Sequence, residues 1–340
     1  MKPPRTAAIA AALALLALAL GLAACGEKTE NAAGEAQSFS LTLDFYPNPD
    51  HAGIYMAQKL GYFEEAGLDV SIGAPADPSA PIKQVAAGRS DLAISYEPEV
   101  ALAHEEGLDV VAIGALVNRP LTSMIWLKKS GIKGIRDLRG KTIATAGIPY
   151  QEAFLKTILA RAKLSISDVK VANVGFGLLP ALAGGSAQAM LGGYSNVEGV
   201  DLRERGKEPV VTPVDKLGVP TYDELVLVAD RKGLEEDPEK YRLFIAALAR
   251  GTEAAIAQPN AATQAVIEAN NSLEPKLTAA EVEATLPLLA AKVPRKPYGY
   301  MDPDQWGTFS GWMHDNELIH SLPAPGELLT NAYLPGEIPE

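Results

Sequence analysis

Cysteine is almost absent from this chain: its 340 residues include one, Cys25. An intramolecular disulfide is therefore impossible, and the stability of the fold must come from an apolar core. Positive charge is also scarce, because 30 Lys and Arg residues face 42 Asp and Glu residues and leave a formal net charge of −12. A chain this acidic is a poor candidate for binding nucleic acid. After the first 24 residues no second long apolar segment follows, so we expect the remainder to be soluble.

The familiar signatures of catalysis and metal binding are missing as well. The four histidines are scattered along the chain without partners at metal-ligand spacing. No G-x-S-x-G motif and no cysteine nucleophile occur, and the segment 147–152 lacks the Lys-Ser/Thr pair of a nucleotide-triphosphate loop. We therefore predict no catalytic residue, no metal and no cofactor, and a role in recognition rather than in catalysis.

The first 24 residues have the pattern of a secretory signal peptide, with Lys2 and Arg5 before an apolar run over 7–20. The letters LAAC that end at Cys25 resemble a bacterial lipobox, which implies that Cys25 carries palmitate and becomes the mature N-terminus. The alternative is a buried cysteine after a membrane helix. Residues 25–37 are small and polar, which is typical of a flexible tether. We therefore expect a lipid-anchored protein on the extracytoplasmic face of the cell membrane.

Two stretches of the chain share one layout of strand, loop, helix and strand, followed by a second helix and a glycine-led strand. The strand and helix ranges are 39–44, 53–66, 67–72 and 88–96 in the first unit, and 141–146, 151–163, 164–171 and 185–194 in the second. Two such units predict an α/β protein with two lobes, each built on a mostly parallel sheet. From Asp237 onward the pattern is mainly helical, with amphipathic helices over 241–257 and 273–291.

These patterns divide the mature chain between two lobes joined by a hinge. We expect lobe 1 to comprise 38–126 and 223–340, including the C-terminal helices, and lobe 2 to comprise 127–222. The hinge segments are expected near 126–130 and 222–228.

Ligands of open α/β sheets lie at the carboxyl ends of the strands, and polar and aromatic residues cluster there in this sequence. The richest group follows the first strand and supplies carboxylate, ring and amide groups: Asp44, Tyr46, Asn48 and His51. The alternative for this group is ordinary turn and capping chemistry, because Asn and Asp beside Pro are common turn residues.

Three further groups follow later strands, and one precedes an apolar strand. The candidates are Tyr96 and Glu97, then Tyr150 and Gln151, then Tyr194, Asn196 and Glu198, and finally Tyr222 and Asp223. Carboxylates in these positions could equally be solvated residues at helix starts or strand ends. Because carboxylates and rings occur together without a basic cluster, we expect a flat heteroaromatic ligand that is uncharged or weakly cationic.

Several ordered motifs resemble the NMT1/THI5-like family. They include LDFYPNPDHAGIYMAQKLGYFEEAGLDV, SYEPEV, DLRGKTIATAGIPYQEAFLKT, GGYSNVEG and GVPTYDELVLVA. The chain is most similar to the family's formylaminopyrimidine-binding lipoproteins, which serve ABC importers of the pyrimidine half of thiamine. The resemblance implies a type II periplasmic-binding-protein fold, a partner permease with its ATPase, and a monomer. It also implies that Asp44 and Glu198 pair with an aminopyrimidine edge while Tyr46 and Tyr194 stack on the ring.

Two other branches of the family give alternatives. Phe45 stands where relatives commonly carry Trp, and Gly192, Gly193 and Ser195 are small where relatives often have bulk. The roomier cleft that these residues imply makes riboflavin the rival ligand. The family also has an enzyme branch that makes the pyrimidine from its own histidine and pyridoxal phosphate. That branch has a cysteine-rich motif where this chain has GVPTYDE over 218–224, so we do not expect an enzyme.

Overall fold

The computed structural model describes residues 36–289 and 294–336. The predicted signal peptide, the lipid site at Cys25 and nearly all of the predicted tether lie outside the described residues. None of the helices within the described ranges is long and apolar enough to cross a membrane.

Ten strands form two five-stranded sheets. The first has the order β2-β1-β3-β10-β4 and contains β1 (Gln37–Thr42), β2 (Leu68–Gly73), β3 (Leu92–Ser95), β4 (Val110–Val117) and β10 (Leu225–Asp230). The second has the order β7-β6-β8-β5-β9 and contains β5 (Thr122–Leu127), β6 (Thr142–Thr145), β7 (Lys170–Asn173), β8 (Ala189–Tyr194) and β9 (Pro209–Pro213). Every residue of β3, β4 and β5 is buried, as expected for strands covered on both faces.

Helices surround both sheets and dominate the C-terminal third. They are α1 (Ala52–Lys59), α2 (Tyr62–Glu65), α3 (Pro81–Ala86), α4 (Glu97–Glu105), α5 (Gln151–Arg161), α6 (Leu178–Gly184), α7 (Glu198–Glu204), α8 (Arg231–Glu236), α9 (Pro238–Ala257), α10 (Pro259–Ala269), α11 (Pro275–Leu289), α12 (Pro303–Asp315) and α13 (Pro325–Leu328). A short 3-10 helix over Pro49–His51 precedes α1. The prediction of a two-lobed α/β fold with mostly parallel sheets and a helical C-terminal part is confirmed.

Helices α1 and α9 pack closely because small residues meet at their crossing. A Cβ atom added at Gly251 would lie 2.3 Å from the carbonyl oxygen of Gly53 and 2.5 Å from the Cβ of Ala57. Asp237 caps the N-terminus of the long helix α9, because its side chain accepts from the backbone N–H of Lys240. This crossing fixes α9 against the helix that follows the first candidate loop.

Each sheet contains one antiparallel strand: the chain enters the second sheet through β5 and returns to the first sheet through β10. Strand β5 pairs antiparallel with β8 and β9, and β10 pairs antiparallel with β3 and β4. The crossovers therefore lie between Val117 and Thr122 and between Pro213 and Leu225. The lobe boundary expected at residue 126 falls inside β5. The sequence pattern indicated parallel units, and such a pattern does not reveal an antiparallel strand. We propose lobe boundaries at these crossovers instead.

Glu224 joins the two crossovers by hydrogen bonds. One carboxylate oxygen accepts from the backbone N–H groups of Leu121 and Thr122, each at 2.7 Å, and the other accepts from the Thr122 hydroxyl at 2.8 Å. The Tyr222 hydroxyl also donates to Glu224, at 2.9 Å. A single buried carboxylate thus holds both connecting segments together.

Replacing Glu224 by glutamine should lower the free energy of unfolding by about 1–2 kcal/mol, because a neutral amide oxygen accepts more weakly than a carboxylate from the Leu121 and Thr122 N–H groups. Urea unfolding followed by circular dichroism measures this loss. The matched control is Glu208→Gln, which removes an exposed ion pair with Lys128 and should change stability by less than about 0.5 kcal/mol. Equal losses in both variants would contradict the role given to Glu224.

Candidate ligand-binding site

A cavity of about 330 Å³ lies between the two sheets, at the small end of the range for ligand pockets. Three parts of the chain line it. The first lobe contributes Asp44, Phe45, Tyr46, Pro47, Asn48, Pro78 and Tyr96; the second contributes Thr122, Ala146, Ile148, Tyr150, Gln151, Leu178, Gly192, Tyr194, Val197, Glu198, Asp201 and Arg205; the C-terminal helices contribute Asn270, Ser272, Leu273, Glu274, Leu277, Thr278 and Glu281.

Asp44 lies just beyond the end of β1 and is oriented by two side chains. One of its oxygens accepts from His51 Nε2 at 2.9 Å, and the other accepts from the Tyr96 hydroxyl at 3.0 Å. The backbone N–H of Asn48 donates to His51 Nδ1 at 3.2 Å, so the imidazole hydrogen is on Nε2 and points at Asp44. Each carboxylate oxygen retains acceptor capacity for a ligand, although the side chain is only 2 % exposed.

Tyrosine rings from both lobes form the aromatic part of the wall. The rings of Tyr96 and Tyr150 meet edge to face with centroids 6.0 Å apart. Burial raises the pKa of Tyr96, Tyr150 and Tyr194 well above its ordinary value, so their hydroxyls stay protonated at physiological pH. These groups offer ring faces or edges and hydroxyl donors to a ligand.

Glu198 lies at the first position of α7 and faces the cavity. Its carboxylate accepts from the backbone N–H of Tyr194 at 2.7 Å, and burial raises its pKa. Nearby, Gln151 accepts from the Ala146 N–H at 2.9 Å, which fixes the amide. Gly192 lies against that amide with φ of +113°, and a Cβ there would lie 2.6 Å from Gln151 Nε2. The small residue at 192 therefore serves packing and backbone conformation as well as leaving space.

The third wall comes from α11 and the loop before it, where the sequence analysis predicted no site residue. Leu273, Leu277 and Glu281 repeat every four residues along one face and line the cavity. The sequence feature that could have indicated this wall is Glu281, an acidic residue on the apolar face of an amphipathic helix.

Five of the sequence-predicted candidates do not line the cavity, because they bind other protein groups. Glu97 accepts from the Asp223 backbone N–H at 2.7 Å, and Asp223 accepts from the Trp306 indole at 2.7 Å. Burial raises the pKa of Glu97 well above its ordinary value and that of Asp223 to about 7. Tyr222 is fully buried and donates to Glu224. His51 is also fully buried and orients Asp44 by donating to its carboxylate.

The fifth, Asn196, connects the lobes. Its amide donates to Asp50 at 2.7 Å and to the Thr285 hydroxyl of α11 at 2.8 Å. The remaining candidates do line the cavity: Asp44, Tyr46, Asn48, Tyr96, Tyr150, Gln151, Tyr194 and Glu198.

Aromatic contacts also cross the cleft between the lobes. Phe176 of the second lobe meets Phe45 and Tyr46 of the first, with ring centroids 4.4 and 4.6 Å apart. Together with the Asn196–Asp50 hydrogen bond, these contacts describe a closed cleft.

The curated relatives support a family assignment. A protein named for thiamine biosynthesis in Haemophilus influenzae is 37% identical over 284 residues, which are 83% of this chain and 88% of its own. The formylaminopyrimidine-binding protein of Halalkalibacterium halodurans is 34% identical over 89% of this chain and 93% of its own. A more distant relative is the 4-amino-5-hydroxymethyl-2-methylpyrimidine phosphate synthase of Aspergillus parasiticus, 28% identical over 67% of this chain and 70% of its own.

Solved structures support the fold. The alkanesulfonate-binding protein of Xanthomonas axonopodis superposes with a TM-score of 0.68 over 87% of this chain and 99% of its own, at 14% identity. This similarity shows a periplasmic-binding-protein fold, as predicted. The family model described as NMT1/THI5 like matches residues 48–262. With this match and the two relatives above 30% identity, the chain belongs to the NMT1/THI5-like family.

Proposed function

We propose that this chain is the substrate-binding component of an ABC importer and captures a thiamine pyrimidine precursor, formylaminopyrimidine or hydroxymethylpyrimidine. The observation that carries the proposal is a closed cleft in which Asp44 and Glu198 share one cavity with the rings of Tyr96, Tyr150 and Tyr194. The name of the Halalkalibacterium relative points to the same ligand.

The charge of the cavity favours such a ligand over an anion. An aminopyrimidine edge presents an amine donor beside a ring nitrogen. A protonated carboxyl group, or a carboxylate that faces a protonated ring nitrogen, can bind this edge through two hydrogen bonds. Acidic side chains line the cavity from all sides: Asp44, Glu198, Asp201, Glu274 and Glu281. Arg205 is the only basic residue among the described lining residues, and it is paired with Asp201. A sulfonate would therefore be repelled.

Capture follows from contacts that a ligand makes with both lobes. A ligand that touches Asp44 of the first lobe and Glu198 of the second binds the closed state better than the open state. It therefore shifts the population toward the closed state. The Asn196–Asp50 hydrogen bond and the Phe176 contacts then exclude water from the ligand.

The alternative from another class is a pyrimidine-synthesising enzyme like the synthase relatives. Enzymes that use pyridoxal phosphate hold it through a lysine Schiff base. The described lining of the cavity contains no lysine and no cysteine. His51 is fully buried behind Asp44, so it is not offered to a cofactor in the cavity.

The proposal includes a location and partners. The membrane partner would be a permease with its ATPase, and the protein would work on the extracytoplasmic face, anchored by lipid on Cys25 as a monomer. The lipobox-like letters support the anchor. The mass of the mature N-terminal peptide tests it, since an unmodified Cys25 would rule it out.

Isothermal calorimetry on the purified chain tests the ligand. Formylaminopyrimidine or hydroxymethylpyrimidine should bind with micromolar or tighter affinity, which corresponds to about −8 kcal/mol or better. Riboflavin binding without pyrimidine binding would overturn the ligand and keep the importer role. Binding only of sulfonates or amino acids would overturn the vitamin proposal.

A further inference from the structure

Glu281 is a buried acid on the third wall of the cavity. It lies in the middle of α11, is 4 % exposed, and lines the cavity beside Leu277 and Thr278. Its carboxyl group makes no hydrogen bond and no ion pair with any residue in the described ranges. A carboxyl group that lines a cavity and has no protein partner is available to bind a ligand there.

The charged groups around Glu281 are mostly acids. Glu198 and Asp201 of α7 face it from the second lobe, and Asp50 faces it from the 3-10 helix of the first lobe. The cation that lowers the pKa of Glu281 is Arg205, which forms two hydrogen bonds with Asp201, one of them at 2.8 Å. Arg205 is thus paired with Asp201, and Glu281 forms no ion pair of its own among the described residues.

We infer that Glu281 forms a second subsite of the cleft, which binds a nitrogen donor on the ring substituent of the ligand, an ammonium group best of all. The inference rests on the proposed function, because the ring must first occupy the aromatic end of the cavity. The ligand class is then a flat heteroaromatic ring that carries an amine or amide nitrogen on a short arm. A formamide N–H satisfies the carboxylate with one hydrogen bond, and an ammonium adds charge.

Proton linkage gives this subsite an independent signature. Burial, reinforced by Glu198, Asp201 and Asp50, raises the pKa of Glu281 to about 8. An ammonium bound beside it lowers that pKa, so binding releases protons near neutral pH. Affinity for the ammonium ligand therefore rises as the pH increases from 6 to 8, whereas a neutral ligand shows little of this dependence.

A matched pair of ligands tests the subsite directly. The probes are 4-amino-2-methylpyrimidines with either a 5-hydroxymethyl or a 5-aminomethyl group, which share the ring and differ in the charge of one arm. On the full chain at pH 7.5, the aminomethyl compound should bind roughly 10-fold tighter or more, the range for a charge-assisted hydrogen bond. Calorimetry in buffers of different ionisation enthalpy should show proton release with this ligand.

The variants are Glu281→Gln and its control Glu283→Gln, an exposed acid on the same helix. Glu281→Gln should weaken aminomethyl binding by roughly 10-fold or more, change hydroxymethyl binding by less than about threefold, and abolish proton release. Glu283→Gln should change none of these.

Other outcomes separate the subsite from the proposed function. If hydroxymethylpyrimidine binds but the wild-type preference for the amine is absent, the subsite is refuted and the function stands. If neither probe binds while formylaminopyrimidine does, the subsite is refuted and the function stands; if none of the three pyrimidines binds, both are refuted. If Glu281→Gln fails to fold, the parent protein still tests the subsite through its relative affinity for the two probes and through proton release. Binding of the aminomethyl compound without proton release would overturn the inference.

Discussion

Replacing Glu198 by glutamine should weaken pyrimidine binding by roughly 10- to 150-fold, the equivalent of about 1.5–3 kcal/mol, and leave the fold intact. The carboxyl group can accept from the ligand amine and share a proton with the ring nitrogen. Its raised pKa favours that sharing, because a protonated oxygen is available to donate. In Glu198→Gln the amide carbonyl is held by the Tyr194 N–H, so the NH₂ group faces the ligand amine and an acceptor for that amine is lost. Isothermal calorimetry with hydroxymethylpyrimidine measures the loss.

The structure predicts that Glu198→Gln remains folded. The glutamine carbonyl can still accept from the Tyr194 N–H, the hydrogen bond that Glu198 makes in the protein. Glu204→Gln, an exposed residue at the end of the same helix, is the matched control and should bind as the parent does. Unchanged binding in Glu198→Gln would refute its role, and Asp44 would become the leading carboxylate.

Raising the pH should open the ligand-free cleft. Asp50 is buried between the lobes, and burial raises its pKa to about 8. Solvent exposure in an open cleft would return the pKa toward its ordinary value near 4. Closing therefore takes up a proton between about pH 4 and 8. The equilibrium constant for closing is therefore largest at low pH. It falls by at most roughly tenfold per pH unit as the pH rises, and it does not change further above about pH 8.

The variant that isolates this effect is Asp50→Asn. The new NH₂ group can donate to the Asn196 carbonyl oxygen, which is buried without a partner among the described residues, so the contact between the lobes survives without a titrating group. The other acids near Asp50 include Asp44, Glu198, Glu224 and Glu281, and they remain in place.

Small-angle scattering of the ligand-free chain between pH 5 and 8.5 measures the opening as an increase in radius of gyration. We expect a clear increase in the parent and in the exposed control Asp69→Asn, and a much flatter response in Asp50→Asn. A pH response of equal size in Asp50→Asn would assign the effect to other groups, with Glu281 first among them because its pKa is raised in the same direction.

The architecture was predictable because periodicity and turn chemistry are local properties of the sequence. The two parallel units and the helix that ends at Ala257 follow from them. The antiparallel strand β5 does not, since its partners β8 and β9 lie far along the chain and its six residues are all buried. The lobe boundary was therefore expected at residue 126, whereas the chain crosses between the sheets before Thr122.

The site was predictable only where it follows strand ends. Topology predicted Asp44, Tyr96 and Glu198 at strand ends, and they line the cavity, but it could not distinguish a carboxylate that faces the cavity from one that holds the protein together. Asp223 is of the second kind, because the Trp306 indole 83 residues away donates to it. Glu281 was missed for a related reason: it reaches the cavity through tertiary packing of α11 and not through a strand end.

The central claim is that this cleft closes on a thiamine pyrimidine precursor. Mass spectrometry of the small molecules released by denaturing the purified chain tests it most directly, because it identifies what the protein captures without a choice of ligand in advance. We expect the mass of formylaminopyrimidine or hydroxymethylpyrimidine, released by the parent and lost or strongly reduced in Glu198→Gln. Release of riboflavin, a sulfonate or an amino acid in its place would contradict capture of a pyrimidine precursor.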